Sequence, residues 1–295
     1  MSGVRVMAIL VRRNLTVYLR DRSGVFLSLL SAVILFVLYT FFLGNMQVNF
    51  LSQKLPEASR SDAQNFITAW MFSGITMITT VTTSLGAGSI FIDDRTSRSF
   101  KDFLVAPVRR SQLTAGYVLT SLIVAFAAGM LILLVAAVYI WAAGGPAPGF
   151  KAIARCGYFL LLMAAAFSAL SIFLVSLLSS SAGFSSLSAI VGTLVGFLSG
   201  SYIPVGALPG GVADVLNALP FSGAATLLRN ELTPKSTAAL TGGDPGGTQF
   251  LRDYYGVTAQ VGGHSLGTLR IVGLLVITFL IFLMLAVDRV RGRMR

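Results

Sequence analysis

The sequence predicts an all-α membrane protein with six transmembrane helices, and three observations predict it. Hydrophobic residues make up 55% of the chain and charged residues only 11%, against about 25% charged in a soluble domain. The mean hydropathy is +0.81. The apolar residues also fall in runs close to the roughly 20 residues that a bilayer crossing needs, separated by polar or Gly/Pro-rich stretches. The 295 residues therefore read as one membrane domain, 1–295, and not as several soluble ones.

Residues 1–22 come first. Val4, Met7, Ala8, Val11, Leu15, Tyr18 and Leu19 recur at helical spacing, with Arg5, Arg12, Arg13 and Arg20 among them. This pattern predicts an amphipathic helix lying in the cytoplasmic interface, with a soluble extension as the alternative. Span 1 is expected at about Gly24–Leu43. No small-residue cleavage site follows it, so it is expected to be retained and not removed as a signal peptide. Span 2 is expected at about Phe66–Ile92, followed by the most charged loop, 93–110. Span 3 is expected at about Leu113–Trp141, closed by Gly144, Gly145, Pro146 and Pro148. Spans 4 and 5 follow at about Ala152–Leu178 and Phe184–Ile203, joined by a short turn at Ser179–Gly183.

Residues 204–266 break the pattern. Pro204, Pro209, Gly210, Gly211 and Pro220 interrupt an apolar stretch, and a Gly-rich hydrophilic loop is expected from Glu231 to Ser265. Span 6 is expected at about Leu266–Val287, ahead of an arginine-rich tail.

Basic residues set the orientation. With both termini and the 93–110 loop on one side, that side holds 14 of the 22 Lys and Arg residues. By the positive-inside rule it is cytoplasmic. A further crossing at 204–228 would put the tail outside, so this region is expected to be a re-entrant or interfacial helical hairpin on the outer face. Broken backbone survives at membrane depth only where protein or a wet cavity surrounds it. The net charge of +11 then reflects orientation and contact with anionic lipid, and nucleic acid is not an expected partner.

The missing chemistry narrows the function further. No G-x-x-x-x-G-K-[ST] phosphate loop occurs, so the chain is not expected to bind ATP itself. Cys156 is the single cysteine and His264 the single histidine, which leaves no metal site of the Cys/His kind. No charged residue sits in the middle of a predicted span. Proton-driven pumps keep such groups there, and intramembrane enzymes also need polar groups at depth, so both classes lose weight. No catalytic residue and no cofactor is expected in this chain.

Three sets of residues are candidates for function. In the charged loop, Asp93 and Asp94 are placed to cap a short helix, since carboxylates favour a helix N-terminus. Phe100, Phe103, Leu104 and Val105 would give that helix an apolar side, and Pro107 would end it. It is either a docking peg for another subunit or an anchor in the interface. In span 2, Ser73, Thr76, Thr80 and Thr83 form a small, hydroxylated stripe, and Ser185, Ala189, Gly192, Gly196 and Ser199 form one in span 5. Such stripes pack helices closely or line a substrate path. Phe197, Tyr202 and Phe221 are candidates for an apolar outer plug.

The order of these parts resembles the ABC-2 type permeases, the membrane subunits of type V ABC exporters. Arg12-Arg13-Asn14 and Tyr18-Leu19-Arg20-Asp21-Arg22 resemble the family's basic connecting helix. Asp94-Arg95, Phe103-Leu104-Val105-Ala106-Pro107-Val108-Arg109-Arg110 and Gly116-Tyr117 are similar to its coupling-helix segment, with Tyr117 where Lys is usual. Ser199-Gly200, Ile203-Pro204, Leu208-Pro209 and Ala218-Leu219-Pro220-Phe221 resemble its outer re-entrant helices, with Leu219 where Asn is frequent.

The resemblance implies a bacterial plasma-membrane protein that works as a dimer, with itself or a sister permease. Each copy would dock through Asp94, Arg95, Phe100, Phe103, Leu104 and Pro107 onto a cytoplasmic ABC ATPase that holds ATP and Mg. A substrate path would run between copies along Thr76, Thr80, Thr83, Ser185, Gly192, Gly196 and Ser199. The favoured cargo is an amphipathic or hydrophobic molecule such as a drug, antibiotic or lipid. The alternatives are a lipid-linked polysaccharide or teichoic-acid polymer and, in another class, a non-transporting receptor or scaffold.

Overall fold

The computed structural model describes residues 3–97 and 109–293. Helix α1, Gly3–Arg20, buries Leu10, Asn14 and Tyr18, three residues spaced by one turn, so one stripe of the interfacial helix faces protein. Asp21 then breaks the chain and caps the next helix, its carboxylate accepting a 3.0 Å bond from the Gly24 N–H. Helix α2, Arg22–Leu38, passes through a π turn at Tyr39–Leu43 into α3, Gly44–Lys54. Span 1 is thus a continuous helix of 33 residues, about 50 Å long at 1.5 Å per residue. It outruns its expected end at Leu43 because Val48 and Leu51 are buried and keep the outer extension packed.

Helix α4, Arg60–Ala87, is the core of the molecule, with 83% of its most apolar window buried. Ser59 caps it by accepting a 3.0 Å bond from the Asp62 N–H. After Gly88 the chain continues as α5, Ser89–Thr96. Helices α6, Arg110–Ala142, and α7, Phe150–Leu177, complete spans 3 and 4, and α6 is the principal neighbour of α4. Span 5 is α8, Ser181–Leu198, which ends five residues before its expected limit at Ile203. Only 11% of its apolar window is buried. Span 6 belongs to α13, Thr268–Arg293, which packs mainly on α7.

Between spans 5 and 6, helices α9, Gly210–Ala218, and α10, Pro220–Leu232, meet at 86°. Pro220 fixes the break, because it starts α10 at its first position and holds Leu219 extended. Neither helix is long enough to cross alone. The stretch expected as a Gly-rich loop, Glu231 to Ser265, is instead largely structured. It holds α11, Pro234–Thr241, α12, Pro245–Tyr254, and a small hairpin of β1, Gln260–Val261, and β2, His264–Ser265. The glycines obscured this. Leu240, Leu251, Tyr255, Val257 and Ala259 are all buried in the core, and Asp244 caps α12. Among the described residues six helices are long and apolar enough to cross a membrane, and the protein is an all-α membrane protein.

Candidate functional site

The end of the helix bundle that carries α1 is tied together by one carboxylate. Asp94 is buried at 4% exposure. Arg13 of α1 grips it through both oxygens at 2.5 Å, and the Tyr117 hydroxyl of α6 donates to it at 2.6 Å. A bidentate guanidinium–carboxylate pair is the strong form of a charged hydrogen bond. The bond to Asp94 holds the Arg13 guanidinium above its ordinary pKa, outweighing the opposing effect of burial. The next residue, Arg95, donates to the carbonyl of Leu178, the residue that ends α7, where a cation suits the exposed carbonyls. Asp93 and Asp94 therefore do not cap a helix start; they lie in the last half of α5. Helix α5 turns Asp94 inward and leaves Asp93 exposed. Phe100, Phe103, Leu104 and Pro107 lie outside the described residues.

The hydroxyl stripe of span 2 is placed inside the protomer. Thr76, Thr80 and Thr83 are 0–1% exposed. Each donates to the carbonyl four residues earlier, at 2.6–2.8 Å, which satisfies the hydroxyl without any other partner. Gly129 of α6 makes the approach possible, since a Cβ there would lie 2.6 Å from Leu160 and 3.0 Å from Thr80. Further along, Ser84 joins Ser171 at 2.8 Å and Ser121 donates to the Ser84 carbonyl at 2.6 Å, linking spans 2, 3 and 4. This face is a packing surface of the single chain.

The open face is the other one. A cleft of about 390 Å³ lies between α2, α4 and α8. Its walls carry Ser28, Ser31, Thr82, Ser185 and Ser188 beside Leu27, Leu85 and Phe184, with Asp21 at one end. Thr82 spends its hydroxyl on the Ser28 carbonyl at 2.9 Å. The Ser188 hydroxyl is buried and has no partner among the described residues. Ser185 and Gly192 line this cleft, while Gly196 lies under the Tyr202 ring and Ser199 is buried, bonded to Ser201 at 2.7 Å.

The outer end holds a second concentration of polar contacts. Phe197 and Tyr202 meet edge to face at 4.9 Å, whereas Phe221 lies apart from them, stacked on Phe167 of α7 at 5.3 Å. The structure thus brings two of the three expected plug aromatics together. Behind them lies a cluster that the sequence did not single out. Trp70 donates from its indole to the Tyr255 carbonyl at 2.8 Å, and the Tyr255 hydroxyl donates to Gln47 at 2.9 Å. Arg229 of α10 is 0% exposed and 5.4 Å from the centre of the Trp70 ring. Its signal in the sequence is its setting, a single basic residue closing the apolar run Ala224–Leu228.

No match was found among curated proteins. The profile described as ABC-2 type transporter matches residues 5–231, from the interfacial helix nearly to the end of α10. The chain belongs to the ABC-2 type transporter family, as the transmembrane permease component of an ABC transporter.

Proposed function

We propose that the chain is the permease of an ATP-driven exporter that moves an amphipathic or hydrophobic molecule (a drug, antibiotic or lipid) out of the cytoplasm or inner leaflet of a bacterial plasma membrane. ATP and Mg would be held by a separate cytoplasmic ATPase, and both termini of the permease would lie on that side.

The observation that carries this reading is the anchoring around Asp94 and Arg95. These two side chains tie α5 to α1, α6 and α7, and α5 and α6 flank residues 98–108 in the chain. In this account a push delivered through residues 98–108 reaches α5 and α6, and through the ties of α5 also α1 and α7. Phe100, Phe103, Leu104 and Pro107 are the docking residues in this account.

The substrate path follows the cleft between α2, α4 and α8, where hydroxyls and apolar side chains alternate as an amphipathic cargo requires. Ser185 and Gly192 belong to it directly. The exposed face of α8, with Ser181, Ser185, Ser186 and Ala189, suits close approach of a second permease, which would close the path. The Phe197–Tyr202 pair stands at its outer end.

The test is the double substitution Phe100→Asp with Phe103→Asp, assayed for transport by the complex reconstituted in proteoliposomes. Loss of transport, or of the ATPase from the complex, is expected. Full transport would overturn the docking assignment.

A further inference from the structure

The turn that ends span 5 is held by two side chains from elsewhere in the fold. Its four consecutive carbonyls, 199–202, all accept hydrogen bonds. Arg229 donates to Ser199 and Gly200, each at 3.0 Å, and Tyr39, from the π turn of span 1, donates to Ser201 at 3.0 Å and Tyr202 at 3.3 Å. Arg229 reaches a fifth carbonyl, Gly256, at 3.3 Å. Gly200 has φ +62°, so α8 cannot continue; local backbone N–H groups meet the carbonyls of Val195, Gly196 and Phe197, and the carbonyls of the turn that follows are left for outside donors.

Arg229 has no carboxylate in ion-pair range among the described residues, and its Nε has no partner there. A fully buried cation normally has a counter-ion, because an unpaired one is strongly disfavoured. Here the carbonyls of Ser199, Gly200 and Gly256 and the face of Trp70 take that place. Such bonds can be released without stranding an opposite charge, unlike the Arg13–Asp94 pair.

We infer that Arg229 is a positioning residue for the outer gate: it latches the turn 199–202, and with it Tyr202 and Phe197, in the closed arrangement, with Tyr39 as the second clamp. Only the word gate rests on the exporter reading; the latch is a property of this chain.

The experiment needs neither ATPase nor substrate. In a Cys156→Ser background, a thiol is placed by Val205→Cys, which is 3% exposed beside the turn, and in a separate chain by Leu240→Cys, also 3% exposed but in α11. Membranes opened by freeze–thaw, so that both faces are reached, are treated with a quaternary-ammonium thiol reagent. With Arg229→Met, the Val205→Cys thiol should label about tenfold faster or more, the population shift expected for losing one charge-assisted hydrogen bond. Arg229→Lys, of similar length but still able to donate, should fall between Met and Arg. The Leu240→Cys thiol should stay protected in both. If Arg229→Met does not reach the membrane, Arg229→Leu takes its place. Three results would overturn the latch: an unchanged rate at 205, equal rates for Lys and the apolar variant (a space-filling role), or labelling at 240 as well (general loss of structure).

Discussion

Arg13 and Asp94 lie 81 residues apart in the chain and meet through two parallel 2.5 Å bonds. That pair, with Tyr117 as third member, fixes α1 to the adjoining ends of spans 2 and 3. Arg13 is 36% exposed at its side chain and Asp94 only 5%, so the two ends of the pair are not equivalent. Removing Arg13 leaves a buried carboxylate held by the Tyr117 hydroxyl. Arg13→Met should therefore destabilise by about 2–3 kcal/mol, less than for a fully buried pair because water reaches the Arg side. Tyr117→Phe should lose about 1.5–3 kcal/mol. A double-mutant cycle on thermal unfolding in detergent should give clear non-additivity; additive effects would mean that the three groups do not act as a unit.

The two helix faces predict opposite responses to the same substitution. Gly129→Val drives a side chain into Leu160 and Thr80 and should destabilise by about 1–3 kcal/mol through overpacking, seen as reduced yield and thermal stability. Gly192 has open space around its position, so Gly192→Val should leave the fold intact. Its effect should fall on transport. Equal loss of stability in both variants would contradict the placement of the cleft.

Trp70 is a structural post between span 2 and the outer subdomain. Trp70→Phe keeps most of the volume but leaves the Tyr255 carbonyl without its 2.8 Å donor. The expected loss is about 1–3 kcal/mol, measured as a lower unfolding midpoint in detergent. An unchanged midpoint would show that another donor replaces the indole.

The exposed, small-residue face of α8 predicts self-association. In the Cys156→Ser background, oxidation of Ser186→Cys or Ala189→Cys in membranes should yield a covalent dimer, because facing backbones can approach within the 4.4–6.8 Å that a disulfide allows. Val138→Cys, exposed on α6, should give none. Crosslinking at Val138→Cys alone would move the interface to α6.

Much of the fold was legible because apolar run length and charge asymmetry are direct consequences of a bilayer as solvent. The six spans follow from the first of these, the N-terminal helix from apolar residues at helical spacing, and the break at Pro220 from proline itself. The errors have specific causes. Span 1 continues to Lys54 since burial of Val48 and Leu51, not hydropathy, holds its outer end. Helices α11 and α12 were hidden by glycines whose positions cap and connect short helices. The Thr76, Thr80 and Thr83 stripe was correctly seen as unusual, but periodicity cannot say which neighbour a face meets. Arg229 was not singled out, because a buried arginine held by carbonyls needs no acidic partner that a sequence would display.

The measurement that tests the central claim most directly is purification of the tagged full chain from its native membranes in mild detergent, with assay for a co-purifying ATPase of the phosphate-loop type. The account predicts a stoichiometric ATPase, released by Phe100→Asp with Phe103→Asp and retained in Arg229→Lys. A permease that remains intact and dimeric but brings no ATPase with it would contradict the exporter reading and favour a receptor or scaffold.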